Sequence, residues 1–448
     1  MTTKKKTAFI IIHGVGPHTA FETCDSFVQS FYEELKDKKE LKNEKILVEH
    51  KIKERTGWAT TDMPWVQNYI SMSLPGEEVI DFYEYFWDIY MVHKAHFREM
   101  YKMLTTASKG AKRFYNRLAE IRKSNLVKSE LNKYGRTTKL GFGPVEFRPA
   151  GYFRLLGPIF TFLSIVLPYL PGALWLLDKW ARTQYPIVSQ IFNGFTMLMK
   201  EPVPDFIGDA VRYLDLDPRS EHHETRRRII DGALDEVREL ILDDVDDGYN
   251  CVFVVGHSLG SVIAYDVLNR VVQETNLEQE GHPRRIHRTQ AEKIAGLITF
   301  GSPLDKIAFF FREQVKENKK VQRQVLSHLH GFKTITLPED RTVIDIENPM
   351  IFKLDNAVWL NFYHREDLIS GKLDYYDLNN QTFKHLETKD GNIEIRKHFN
   401  KLRAHFCYWG AHQGKNKGTN EMYHIIIKEF FSGNNAESKP EKRNENEE

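Results

Sequence analysis

Cysteine is scarce in this chain. Its 448 residues include three, Cys24, Cys251 and Cys407. An odd, irregularly spaced set argues against a disulfide framework and for a reducing, cytoplasmic compartment. An excess of one charge is lacking too: 63 Lys and Arg stand against 62 Asp and Glu, a net charge of +1. So balanced a chain is no general nucleic-acid binder. Neither a G-x-G-x-x-G run nor a P-loop occurs, so no nucleotide site is indicated. His222-His223 and His328-Leu329-His330 have no Cys or carboxylate partners at ligand spacing, so no metal is expected. The start, MTTKKKTAFIIIHGVG, has lysines before an apolar run. That run, residues 8–12, is too short for a signal-peptide core and reads as a first strand. No cofactor and no secretion by this route are expected.

What is present is a large apolar content, 41% hydrophobic with 12% aromatic residues, ample for a sizeable core. β-branched and aromatic runs mark strands at residues 7–12, 77–87, 249–256, 295–303 and 356–364. Helical patterns fall at 18–38, 226–242 and 259–272. Strands alternating with helices predict an α/β fold, a mostly parallel central sheet with helices on both faces. The last residues, 433–448, are polar and charged and read as a disordered tail.

Residues 88–204 break the alternation. Between Lys94 and Arg154 there are fifteen Lys or Arg, four Glu and no Asp. Residues 155–177, LLGPIFTFLSIVLPYLPGALWLL, then carry no charge. That length could span a bilayer. A single crossing would put strands of one sheet on opposite sides of a membrane, so the segment must return to its own side. Pro168 and Pro171-Gly172 suit a turn between two short apolar helices. Three arrangements stay open: a hairpin dipping into the membrane, an interfacial amphipathic cap, or a cap buried against protein. The basic run beside it favours contact with anionic lipid, in a peripheral or monotopic attachment to the cytoplasmic face. On this reading residues 1–87 and 205–432 form two parts of one core, and 88–204 is a helical cap insertion.

The chemistry centres on CVFVVGHSLGSVIAYDVL, residues 251–268. Gly256-His257-Ser258-Leu259-Gly260 fits G-x-S-x-G between a buried-type strand and an apolar helix. Small flanking residues let strand and helix close around a strained, presented serine, a nucleophile elbow. A serine hydroxyl needs a base, and the base an orienting carboxylate. With the order Ser, acid, His, the acid follows a later strand. Asp367 after VWLNFYHRE is favoured; Asp305 after LITFGSPL is the alternative acid, and Glu366 is a competing neighbour. For the base the chain offers His398, His405 and His412. His405 is favoured because Phe406, Tyr408 and Trp409 would bury its loop. Oxyanion donors are expected from the Leu259 amide and from Val15 or Gly16 in the His13–Gly16 loop. His13 precedes the serine and suits a loop-organising role.

IIIHGVG, GHSLGSVIAYDVL, TFGSPLDK, WLNFYHREDLISGKL and AHFCYW together resemble a lipase-type α/β-hydrolase. The elbow, running into a Tyr-Asp helix, is similar to that of intracellular phosphatidic-acid-preferring phospholipases. The W-x-N-x-Y…D-x-x-x-G-x-L stretch resembles the acid-bearing strand of bacterial relatives, which implies Asp367. The H-x-x-Y-W pattern resembles their histidine loop, which implies His405. The resemblance covers roughly residues 1–90 and 205–430, and the Asp-Asp-His-Asp constellation of those phospholipases has no counterpart. It implies an α/β-hydrolase fold and ester hydrolysis on a lipid or acyl substrate. The competing expectations are a soluble esterase or thioesterase, and a hydrolase-fold binding protein whose triad is silent.

Overall fold

The structure is a computed structural model. It describes residues 5–91 apart from 17, 38–43, 56–65 and 77, and residues 209–308 apart from 211, 215–220, 243–247 and 278–285. Beyond these it describes 315, 319–330, 352–354, 356–364, 367, 369–373, 376, 391–395, 405, 408 and 417–431.

Two strands set the centre. β1 (Lys6–Ile12, KTAFIII) and β5 (Cys251–His257, CVFVVGH) pair in parallel and are buried on both faces after their first residue. Continuous β-branched and aromatic side chains suit a strand covered on both sides. Around them lie β2 (Leu47–Glu54), β3 (Val66–Ser73), β4 (Val79–Tyr85), β6 (Ile294–Phe300), β7 (Val358–Tyr363) and β8 (Asn392–Glu394). The eight strands run in the order β2-β3-β4-β1-β5-β6-β7-β8. β2, β3 and β4 form an antiparallel meander, while β4 through β8 are mutually parallel.

Six helices are needed to follow the chain: α1 (Glu22–Asp37), α2 (Glu221–Ile241), α3 (Leu259–Thr275), α4 (Arg288–Ala291), α5 (Lys320–Leu329) and α6 (Lys417–Phe431). Side chains alternate across the strands, so each face has its own core. Ala8, Ile10, Ile12, Val252 and Val254 pack beneath α2 and α3. Phe9, Ile11, Phe253 and Val255 pack beneath α1 and α6. α1 turns Cys24, Phe27, Val28, Phe31 and Leu35 to that core at helical spacing. Phe9 stacks between Phe82 and Phe253 with ring centroids 5.4 and 4.9 Å away. A fully buried aromatic of this kind contributes about 1.5–3 kcal/mol.

This topology has one point of reversal. The chain leaves β1 to build β2–β4 on one side, then passes β1 to build β5–β8 on the other. Ligands of open parallel sheets bind outside the carboxyl ends of the strands at such a reversal. Residues 13–16 leave β1 there, and Ser258 leaves β5 there.

The expected α/β class and mostly parallel sheet match this architecture. The fourth strand is shorter than the expected 77–87, and β2, β3, β8, α5 and α6 had no counterpart in the sequence reading. Cys24 and Cys251 are free thiols, and Cys407 lies outside the described residues. So do residues 92–208, with the apolar 155–177 segment, and the 433–448 tail. Among the described residues, no helix is long and apolar enough to cross a membrane.

Candidate active site

Ser258 stands between β5 and α3 with φ 51° and ψ −125°. Phe21 is the other described non-glycine residue at positive φ. A non-glycine residue pays strain there, and it persists where the surroundings fix it. Two glycines make the turn possible. A Cβ on Gly256 would lie 2.5 Å from Gly260 O and Ser261 Cα, and one on Gly260 2.3 Å from the carbonyl oxygens of Ile12 and His13. The first turn of α3 therefore sits directly on the end of β1. The Ser258 amide donates to Phe300 O at 3.0 Å, and its carbonyl accepts from Ser261 Oγ at 2.5 Å.

His405 Nε2 lies 2.8 Å from Ser258 Oγ, and its Nδ1 lies 2.9 Å from Asp367 Oδ2. An ionised carboxylate only accepts, so Nδ1 carries the proton and Nε2 is left to accept from the serine hydroxyl. All three residues are buried, Ser258 being 1% exposed. Asp367 Oδ1 accepts the amides of Ile369 at 2.8 Å and Ser370 at 3.2 Å. Burial pushes the Asp367 carboxyl up, but its bonds to His405 and the loop amides outweigh this and hold it well below the usual carboxylate range.

Of the residues singled out by sequence, Ser258, His405 and Asp367 come together. Asp367, not Asp305, is the carboxylate at hydrogen-bond distance of His405 Nδ1. Asp305 is buried in the helical stretch, residues 304–308, that follows β6. Its neighbour Lys306 reaches the acid loop, donating to Ile369 O at 2.5 Å and Ser370 O at 3.0 Å. Glu366, His398 and His412 lie outside the described residues. Leu259 opens α3, where a first-turn amide has no acceptor within its own helix. The loop with Val15 runs against the serine: a Cβ on Gly14 would lie 2.9 Å from Ser258 Cβ, and Gly16 has φ 116°. His13 stacks on Trp87 at 5.1 Å with planes 9° apart, its Nδ1 donates to Gly14 O at 2.8 Å, and its carbonyl accepts Trp87 Nε1–H at 2.8 Å. Burial, then His18 beside it, lowers the His13 pKa to about 3, so this ring is neutral.

Compared with known proteins, the chain matches no family model, no curated protein and no solved structure.

Two residues of the site carry roles that the sequence did not suggest. Tyr408 is fully buried; its hydroxyl donates to Asp367 Oδ2 at 2.9 Å and accepts the His364 amide at 3.0 Å. It also lies 3.0 Å from Ser370 Oγ. The histidine's own loop thus clamps the acid. His257 donates from Nε2 to His405 O at 3.0 Å, tying that loop to the elbow. Burial and then the His405 ring lower the His257 pKa to about 3, so it holds the loop as a neutral ring. The signal for both was in view: Tyr408 is the tyrosine of H-x-x-Y-W, and His257 is the variable position of G-x-S-x-G. No metal-binding group of three or more His, Cys, Asp or Glu occurs among the described residues.

Proposed function

We propose that the protein is a serine hydrolase of the α/β-hydrolase type that cleaves a carboxylic ester, with a lipid as substrate. The observation that carries this reading is the continuous relay from Ser258 Oγ through His405 to Asp367, with contacts of 2.8 and 2.9 Å at a strained elbow. Such a relay is what turns a hydroxyl into a nucleophile.

In the proposed reaction Ser258 Oγ attacks the ester carbonyl carbon while its proton passes to His405 Nε2. Asp367 stays ionised and stabilises the imidazolium through Nδ1. The negative oxygen of the tetrahedral intermediate sits at the start of α3, where the Leu259 amide and the positive end of the helix oppose its charge, with the Val15 amide as second donor. Collapse breaks the bond to the alcohol, which takes the proton from His405. Water then gives a proton to His405 and attacks the acyl-serine; the proton returns to Ser258 Oγ as the acid leaves. Every proton is handled by His405, so no cofactor is required. The lipid preference rests on composition: the basic stretch and the uncharged segment 155–177 suit a cap, residues 88–204, that meets an anionic lipid surface.

Ester hydrolysis across an acyl-length series, with and without anionic vesicles, tests the substrate class. Long-chain esters turned over faster in the presence of vesicles are the expected result. Preference for short soluble esters with no vesicle effect would replace the lipid reading with that of a soluble esterase.

A further inference from the structure

β2 is the edge strand, and among the described residues nothing pairs with its outer side. An edge strand of eight residues spans about 27 Å, and proteins usually shorten, bend or cover such an edge. Here Val48 and Ile52 are also exposed, at 43% and 64%. With Ile46 and His50 they share the face turned toward α1, where Ile46, Val48 and His50 help line a groove of about 870 Å³. Glu49 and Lys51 lie on the opposite face, half-exposed, with Lys51 Nζ 3.7 Å from Glu49 Oε2.

We propose that two copies of this chain associate through antiparallel β2–β2 pairing centred on His50. The sequence of the strand, LVEHKIKE, selects that register. A two-fold axis perpendicular to the sheet keeps each face continuous, so residues of the same face must oppose each other. Centred on His50, the pairing sets Val48 opposite Ile52 twice and Glu49 opposite Lys51 twice. The exposed apolar pair is thereby covered, and opposite charges face each other across the strands. Moving the centre to Glu49 sets two carboxylates together at the axis, and moving it to Lys51 sets two ammonium groups together. Lys53 does not oppose the pairing. It is drawn toward α2, 4.0 Å from Glu239 and over the Tyr83 ring at 5.0 Å. Ile52 of the second copy then meets Val48 at the rim of the groove, whose far wall is Phe21, Val28 and Tyr32. The product is an isologous dimer with one sheet running through both copies. An edge contact of this size is at the small end of specific interfaces, so the dimer forms reversibly with concentration.

Sedimentation velocity of the full chain over about 1 to 200 µM, the range of a weak interface, tests this together with charge exchange. Wild type is expected to shift from monomer to dimer across the range. Glu49→Lys alone and Lys51→Glu alone are each expected to stay monomeric. An equimolar mixture of the two is expected to dimerise, as is the double variant Glu49→Lys/Lys51→Glu. Far-UV circular dichroism checks that each variant is folded, as both side chains are solvent-facing. A wild type that stays monomeric throughout would overturn the proposal. So would single variants that associate as wild type does, or a mixture of folded variants that remains monomeric. None of these outcomes depends on the chemistry of Ser258.

Discussion

Replacing Tyr408 by phenylalanine removes one oxygen from a fully buried ring and leaves the ring in place. The hydroxyl gives Asp367 Oδ2 a hydrogen bond at 2.9 Å and takes one from the His364 amide at 3.0 Å. A hydrogen bond to a buried charge is worth about 1.5–3 kcal/mol, and a buried amide left without an acceptor costs about 1–3 kcal/mol. Asp367 keeps His405 and the amides of Ile369 and Ser370, so it stays ionised and roughly placed. Tyr408→Phe should therefore lower unfolding stability by about 3 kcal/mol. If half of that is orientation felt in the transition state, the reaction of Ser258 slows about tenfold. Losing a donor also makes the carboxylate more basic, so the acid limb of the pH–rate profile moves upward. Urea unfolding gives the first quantity; the labelling rate with a fluorophosphonate, as a function of pH, gives the other two. Stability within about 0.5 kcal/mol of wild type, with an unchanged labelling rate, would refute the claim that this hydroxyl holds the acid.

The elbow makes a steric prediction. Gly260→Ala drives a Cβ to 2.3 Å from the backbone carbonyl oxygens of Ile12, the last residue of β1, and of His13 just after it, which no side-chain motion relieves. It should cost about 3 kcal/mol or more and abolish labelling; an unfolding midpoint equal to wild type contradicts the packing described. His257→Phe removes the donor to His405 O while keeping a ring. It should slow labelling of a folded protein about tenfold, the equivalent of about 1.4 kcal/mol, and normal labelling would show that the tie is dispensable. Stability should fall between pH 7.5 and 5.5. Burial lowers the pKa values of His13 and His257 to about 3 and of His330 to about 4. The unfolded chain binds those protons first, so each contribution is present above about 6.5 and declines as pH falls toward the folded value. One unit below the unfolded pKa, each histidine costs about 1.4 kcal/mol. Glu84, which burial raises to about 6, opposes this modestly because it takes up its proton in the folded state first. The net loss at pH 5.5 should be about 3 kcal/mol, and a flat stability profile by urea titration would contradict the burial of these rings.

The parallel strands β1, β4, β5, β6 and β7 were readable from sequence because they are largely buried on both faces, whereas the three half-buried residues of β8 were not. KTAFIII and CVFVVGH are mostly apolar runs that end at the His13–Gly16 loop and at the elbow. β2 and β3 were not readable. LVEHKIKE sits at the edge, where solvent accepts charge at alternate positions, so its composition is that of a surface segment. At the site, the strand-turn-helix context pointed to Ser258 because its unusual backbone needs local glycines. The acid was narrower in sequence than it was certain: Asp305 and Asp367 both follow strands, and distance to His405 separates them. Tyr408 and His257 act through contacts with residues 41 and 148 positions away, which no local pattern encodes.

The proposed chemistry makes Ser258 a nucleophile driven by His405 and Asp367. Fluorophosphonate labelling of wild type beside Ser258→Ala, His405→Ala and Asp367→Asn tests it most directly. One label per wild-type chain is expected, none on Ser258→Ala, and rates reduced on the order of a thousandfold or more on the other two. A folded wild type that takes no label, or a Ser258→Ala variant that labels as wild type does, would contradict it.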